Sequence, residues 1–259
     1  MSEAKDQPGE KTKRDDDSGE APRASGQGDA SLASPPSRQG GESSGAAGAV
    51  ALVEQLTAAF REQVRRALKV ELPDELGATA LAYVDHYLAL LREETREPIV
   101  SLVAANAGAW FGELIRREIG GTWIGDGIDP RALRLLLEPA FVYFAPVDVA
   151  YEAILSGSPA VGDPRVPEGA SLDASFHLRK HPVVNFEHEP ADHDWVSERL
   201  AETPPLPEDQ YFSLTGRFET LQLILELLAS RELERGREPT RYHLNDYIAE
   251  LSAPASGSN

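Results

Sequence analysis

The chain has 259 residues, no cysteine, 25 Lys and Arg against 43 Asp and Glu, and a formal net charge of −18. The missing thiols exclude disulfides, thiolate metal sites and a cysteine nucleophile. The charge opposes binding to phosphate backbones and to anionic membrane surfaces.

Residues 1–46 hold six basic and nine acidic residues, which leaves 19 basic and 34 acidic residues, or −15, for the remainder. The acidity therefore belongs to the part expected to fold. The first 46 residues are rich in Ser, Gly, Pro, Asp and Glu, and bury too little apolar surface to offset the entropy of ordering. A disordered leader is expected there. It lacks the apolar core of a signal peptide, and no later apolar run reaches the roughly 20 residues of a bilayer-spanning helix, so a soluble cytoplasmic protein is expected.

From about Gly48 to Lys69, Leu52, Leu56, Phe60, Val64 and Leu68 recur every fourth position, the stripe of an amphipathic helix. Leu72-Pro73-Asp74 breaks it. Pro73 suits the first turn of a second helix running to about Glu94, with Leu76, Ala80, Tyr83, Val84, Tyr87, Leu88 and Leu91 on its buried side. The two form a helical hairpin. His86 beside Asp85 has no third partner that would make it a proton-transfer site.

Pro98 opens a third helix to about Ile119. Val100, Ala104, Gly108, Phe111, Ile115 and Ile119 share one side, and the small residues Ala104, Ala107, Gly108 and Gly112 permit close approach of another element. The opposite face carries Asn106, Trp110, Glu113 and Arg117. An amide, an indole, a carboxylate and a guanidinium together resemble a ligand or partner contact, but helix faces of mixed polarity usually pack against neighbouring elements, and packing against the first helices is the favoured reading.

Gly120-Gly121 supplies a left-handed helix stop. Thr122 to Ile124, Leu133 to Leu137 and Phe141 to Phe144 read as short strands, and Pro146 opens a helix through Val149, Tyr151 and Ile154 that ends near Gly157. Between Ser156 and Gln210 lie eight of the nineteen prolines, which excludes long regular elements. Phe176 to Leu178 and Val183 to Phe186 are candidate strands. Asp192 or Asp194 can cap a short helix through Trp195, Val196 and Leu200. A long helix follows Pro207 to about Arg235, then a short one from Tyr242 to Leu251.

The run GAWFGELIRREIGGTW resembles a helix-to-strand pattern of bacterial domains of unknown function, through Gly108, Phe111, Gly112, Glu113, Arg116, Arg117, Gly120, Gly121 and Trp123. The resemblance spans residues 72 to 125 and implies an architecture, with no activity attached.

Four of the six histidines fall within residues 177–193 among several acids, and His181, His188 and His193 are the residues a zinc or iron hydrolase could use. No HExxH, P-loop or GxSxG sequence occurs. The expectation is a mainly helical α+β protein: a helical hairpin and central helix on a small antiparallel meander, with a C-terminal helical segment. Its layout is a leader over 1–46, an α+β core over 47–157, a proline-rich connection over 158–206, C-terminal helices over 207–252 and a disordered tail over 253–259. No cofactor, nucleic acid or membrane is implied. A non-catalytic protein-binding or regulatory module is expected, with another protein as partner. The alternatives are a metal-dependent hydrolase built on the three histidines and a structural homo-oligomer seamed by the first helix.

Overall fold

The computed structural model describes residues 40–180, 189–238 and 240–252. The leader up to residue 39, the candidate strand over 183–186 and the tail over 253–259 lie outside the described residues.

Helix α1 (Gly40–Leu68) begins within the segment expected to be the leader. Its interior explains the extension: Ala49 and Val53 are buried, and Gly48 lies so close to the backbone of Gly127 that the helix is docked well before its apolar stripe begins. That stripe is used within the chain. Phe60 and Val64 are fully buried, and the Phe60 ring stands 5.8 Å from Tyr87 and 5.7 Å from Trp110.

The expected second helix is interrupted. A 3₁₀ turn over Asp74–Ala80 precedes α2 (Leu81–Ala89), because Gly77 takes φ 52°, a left-handed conformation that breaks helical continuity. The rotation that follows buries Leu81 and turns Tyr83 outward, whereas periodicity had placed Tyr83 inside.

Helix α3 (Glu97–Glu118) is the centre of the fold, buried without interruption from Val103 to Gly112. Among the described residues it is the one helix long and apolar enough to cross a membrane, and 72% of that stretch is buried inside the protein. On one side it crosses α4 (Pro146–Leu155) at Gly108, where a Cβ would lie 2.5 Å from the Val147 Cα, so only glycine allows this approach.

The meander follows α3. Strands β1 (Gly121–Ile124), β2 (Arg134–Leu137), β3 (Val142–Phe144) and β4 (His177–Leu178) form one antiparallel sheet in that order. The register pairs Thr122 with Leu136, Leu135 with Phe144, and Tyr143 with His177. Alternation along the strands sends Trp123, Leu135, Leu137 and Phe144 into the main core. Leu136 and Tyr143 point to the other face, which α8 (Leu244–Ser252) covers with Tyr247.

The C-terminal half begins with α5 (Asp192–Ala201). The single long helix expected after Pro207 is two: α6 (Glu208–Tyr211) and α7 (Leu214–Glu234). Ser213 separates them by accepting from the Gly216 N–H at 2.9 Å, an N-cap inside the apolar pattern. Helix α7 feeds Leu214, Phe218, Leu221 and Ile224 into the same core as α2, α3 and α4. The architecture is thus a mainly helical α+β fold with a small four-stranded antiparallel sheet.

Candidate functional site

The face of α3 singled out in the sequence lies against α1 and the 3₁₀ turn. Asn106 is 1% and Trp110 5% exposed, and the Trp110 ring is covered by Phe60. Arg117 pairs with Asp74 at 2.5 Å, and Asp74 also pairs with Arg61. Glu113 accepts from Arg116 Nε and Nη2, both at 2.8 Å, and from Trp123 Nε1 at 3.3 Å. Burial pushes the Glu113 carboxyl up, but these bonds outweigh it and hold the group below its usual range. Asn106 and Trp110 are therefore closed off by α1 while Arg117 ties the exposed edge of the same contact, around a hollow of about 20 Å³ lined by Thr57, Arg61, Trp110 and Glu113, the size of one water.

This geometry also explains the run of glycines. A Cβ at Gly112 would meet the Trp123 ring at 2.3 Å, so the glycine makes the slot and Glu113 binds the indole that fills it. Gly120 takes φ 103°, reversing the chain so that Trp123 returns onto its own helix. The motif is an interlock between helix and strand.

The histidines do not share one site among the described residues. His181 and His188 lie outside those residues. His193 sits in the first turn of α5 with its Nδ1 3.1 Å from Asp194, half exposed. His177 stacks on Tyr143 at 4.7 Å and pairs with Asp173 at 3.1 Å. Among the described residues no three His, Asp or Glu side chains are grouped to hold a metal ion. Asp85, the neighbour of His86, is engaged elsewhere: its carboxylate accepts from the Leu214 N–H at 2.7 Å and the Thr215 N–H at 3.1 Å.

A different place gathers polar chemistry, and sequence reasoning missed it. Helix α4 is buried along nearly its whole length, yet carries Asp148 and Glu152 one turn apart on one face. Glu152, 7% exposed, pairs with Arg217 of α7, which is 4% exposed. Glu152 also accepts from Ser158 Oγ. Arg217 donates through Nη1 to Tyr211 Oη at 2.8 Å and lies over the Tyr211 ring, 4.3 Å from its centroid. Asp148 accepts from the Asp173 N–H at 2.9 Å through one oxygen, while the other has no partner, and burial pushes this carboxyl up. Nearby, Tyr151 donates to Ser101 Oγ at 2.6 Å, and Ser101 donates on to Glu97. The available signal was α4 itself, two carboxylates at i and i+4 in a helix otherwise apolar.

Two clefts meet at Glu152. One, of about 850 Å³, runs between Glu97 and Glu152 and the segment from Ser158 to Leu172. The other, of about 440 Å³, lies between that segment's continuation to Phe176, the α5 face bearing Val196, Ser197 and Leu200, and the α7 face bearing Arg217, Thr220 and Ile224. Glu152, Ser158 and Leu172 line both. Volumes of this order are those of ligand-binding clefts. Ser158 Oγ donates to a carboxylate already neutralised by Arg217, so it lacks the adjacent strong base that activates a serine nucleophile.

No protein-family model, curated protein or solved structure matches the chain.

Proposed function

We propose that this protein is a non-catalytic binding module that captures a segment of another protein in the paired clefts between α4, α5, α7 and residues 158–176. The supporting observation is the clefts' construction: the partly exposed Phe176, Leu200 and Phe212 lie among fixed polar groups anchored on the Glu152–Arg217 pair. Apolar area supplies affinity, and a small number of directed polar groups sets orientation. A buried ion pair with a third hydrogen-bond partner on each side is costly to rearrange, so it suits a rigid floor better than a moving catalytic group. The helix-to-strand interlock around Trp123 belongs to the scaffold in this reading, and the resemblance to bacterial domains concerns that scaffold.

The test is copurification from native lysate under mild conditions, with the natural chain and with Ser197→Trp. Ser197 is exposed on α5 and lines the smaller cleft, so the indole fills the cleft without entering the core. A stoichiometric partner is expected with the natural chain and its loss with the variant. Recovery of no partner, or of one indifferent to Ser197→Trp, removes the proposal.

A further inference from the structure

We infer that residues 170–173 form a gate between the two clefts, held shut by Arg131 and Asp148 and opened when these two side chains pair with each other. The inference rests on the binding-module reading above and names how access to its clefts is regulated.

The position of the stretch is the first observation. Ala170, Ser171 and Leu172 line the larger cleft, and Leu172 and Asp173 line the smaller, so Leu172 stands in the wall that the two share. Two bonds hold that wall in place. Arg131 Nη2 donates to the Ser171 carbonyl at 3.3 Å, and the Asp173 N–H donates to Asp148 Oδ2 at 2.9 Å. Just before the stretch, Gly169 takes φ 72° with open space where a Cβ would stand, which suits a hinge. Just after it, Ala174 is buried and β4 is paired into the sheet, which gives a fixed post.

The second observation is what these bonds leave unsatisfied. Asp148 Oδ1 and Arg131 Nε are buried atoms of opposite charge, and neither has a hydrogen-bond partner. Ser171 and Asp173 are two residues apart, at most about 7 Å between their Cα atoms, so the side chains that grip them are close neighbours. The charge of Arg131 acts on the Asp148 carboxyl accordingly. Arg134, the other cation beside this carboxyl, is tied to the Arg131 and Leu133 carbonyls at 2.6 and 2.9 Å.

The third is an asymmetry of exposure. Ser171 and Asp173 are exposed, so their backbone groups take water when released. Asp148 is 3% exposed and has no such recourse. With the gate shut, the two orphaned atoms cost free energy. With it open, an Arg131–Asp148 pair satisfies both, and water replaces the two bonds lost. The gain on one side offsets the loss on the other, the condition for a two-state element.

The experiment is native-state hydrogen exchange on the full chain at neutral pH, read at the Asp173 amide by nuclear magnetic resonance. Asp148→Asn keeps an oxygen for that amide and carries no charge to draw Arg131 away. It is expected to slow the exchange about tenfold, because the gate stays shut. A fixed anchor requires the opposite sign, since a neutral amide accepts more weakly than a carboxylate. Arg131→Gln removes the competing cation and is expected to slow the exchange as well, whereas loss of a mere anchor speeds it. Asp148→Ala removes the acceptor and is expected to speed it.

Faster or unchanged exchange in Asp148→Asn or Arg131→Gln overturns the gate, and so does unchanged exchange in Asp148→Ala. The binding module then still stands if a cellular partner is captured and lost in Ser197→Trp. Absence of any cleft-dependent partner removes both the module and the gate's role.

Discussion

Asp148 shows how one side chain is governed by surroundings that its neighbours in the chain do not reveal. It occupies the first turn of α4, where a carboxylate is ordinarily welcome, yet it is 3% exposed and one of its oxygens has no partner. Burial pushes its pKa up, and the Asp173 N–H and the charges of Arg131 and Arg134 only partly offset this. A carboxyl raised above its unfolded value favours the fold in its neutral form, so stability falls as pH rises through the folded pKa and the penalty is absent below the unfolded one. Asp148→Asn is expected to raise the thermal midpoint at pH 8 and to lose that advantage near pH 4. A constant offset across that range, measured by thermal unfolding, would contradict the burial argument. Arg217 is the complementary case. In the sequence it is one arginine in a polar-looking turn of α7, and only its meeting with Glu152, 65 residues away, makes it the floor of a cleft.

Helix boundaries record the contest between periodicity and local chemistry. The segment after Pro207 reads as one long helix, and Leu214, Phe218 and Leu221 do face the core, while Tyr211 is exposed. It cannot see that the first turn of α7 is held by another helix. Asp85 of α2 receives the Leu214 and Thr215 N–H groups, so α7 starts where a carboxylate waits for it. Asp85→Ala is expected to cost about 1 kcal/mol, in the range of 0.5–2 for a lost cap, read as a shift of the denaturation midpoint at unchanged slope. Asp85→Asn, which keeps one acceptor oxygen, should recover part of it. The glycines act at the same scale. Gly108 and Gly112 in α3 were legible as small residues, and their partners, the Val147 backbone and the Trp123 ring, emerge only once α4 and β1 are in position.

For the molecule as a whole, the last helix decides whether the sheet is buried on one face or two. Tyr247 of α8 is 1% exposed, and its hydroxyl accepts from the Val142 N–H at 3.0 Å while facing the Leu137 carbonyl at 2.7 Å. Its ring stacks on Phe141 at 4.3 Å. Burial pushes the phenol pKa up, so it stays a neutral donor across the accessible pH range. Tyr247→Phe keeps the ring and removes the hydroxyl. A loss of about 1–3 kcal/mol is expected, the cost of a buried hydrogen bond whose partners are left behind. Native-state hydrogen exchange should show the loss concentrated in β2, β3 and α8. An effect spread evenly over α1 and α3 would mean that α8 is not a separate layer of the fold.

Periodicity and punctuation were enough for the class of fold, the central helix, the meander and most of the buried stripes, because those follow from which residues must leave water and where glycine or proline forbids continuation. They were not enough for the site. The Asn106, Trp110, Glu113 and Arg117 face could be read as a contact for a ligand or as packing against the first helices, and only the placement of Phe60, fifty positions before Trp110, decides that α1 covers it. The Glu152–Arg217 floor looked unremarkable because each member meets its partner only through the packing of α4 on α7. A helix's own pattern records how much of it is buried, whereas what buries it, and which charges are forced together when it does, depends on contacts between distant segments that no local pattern encodes.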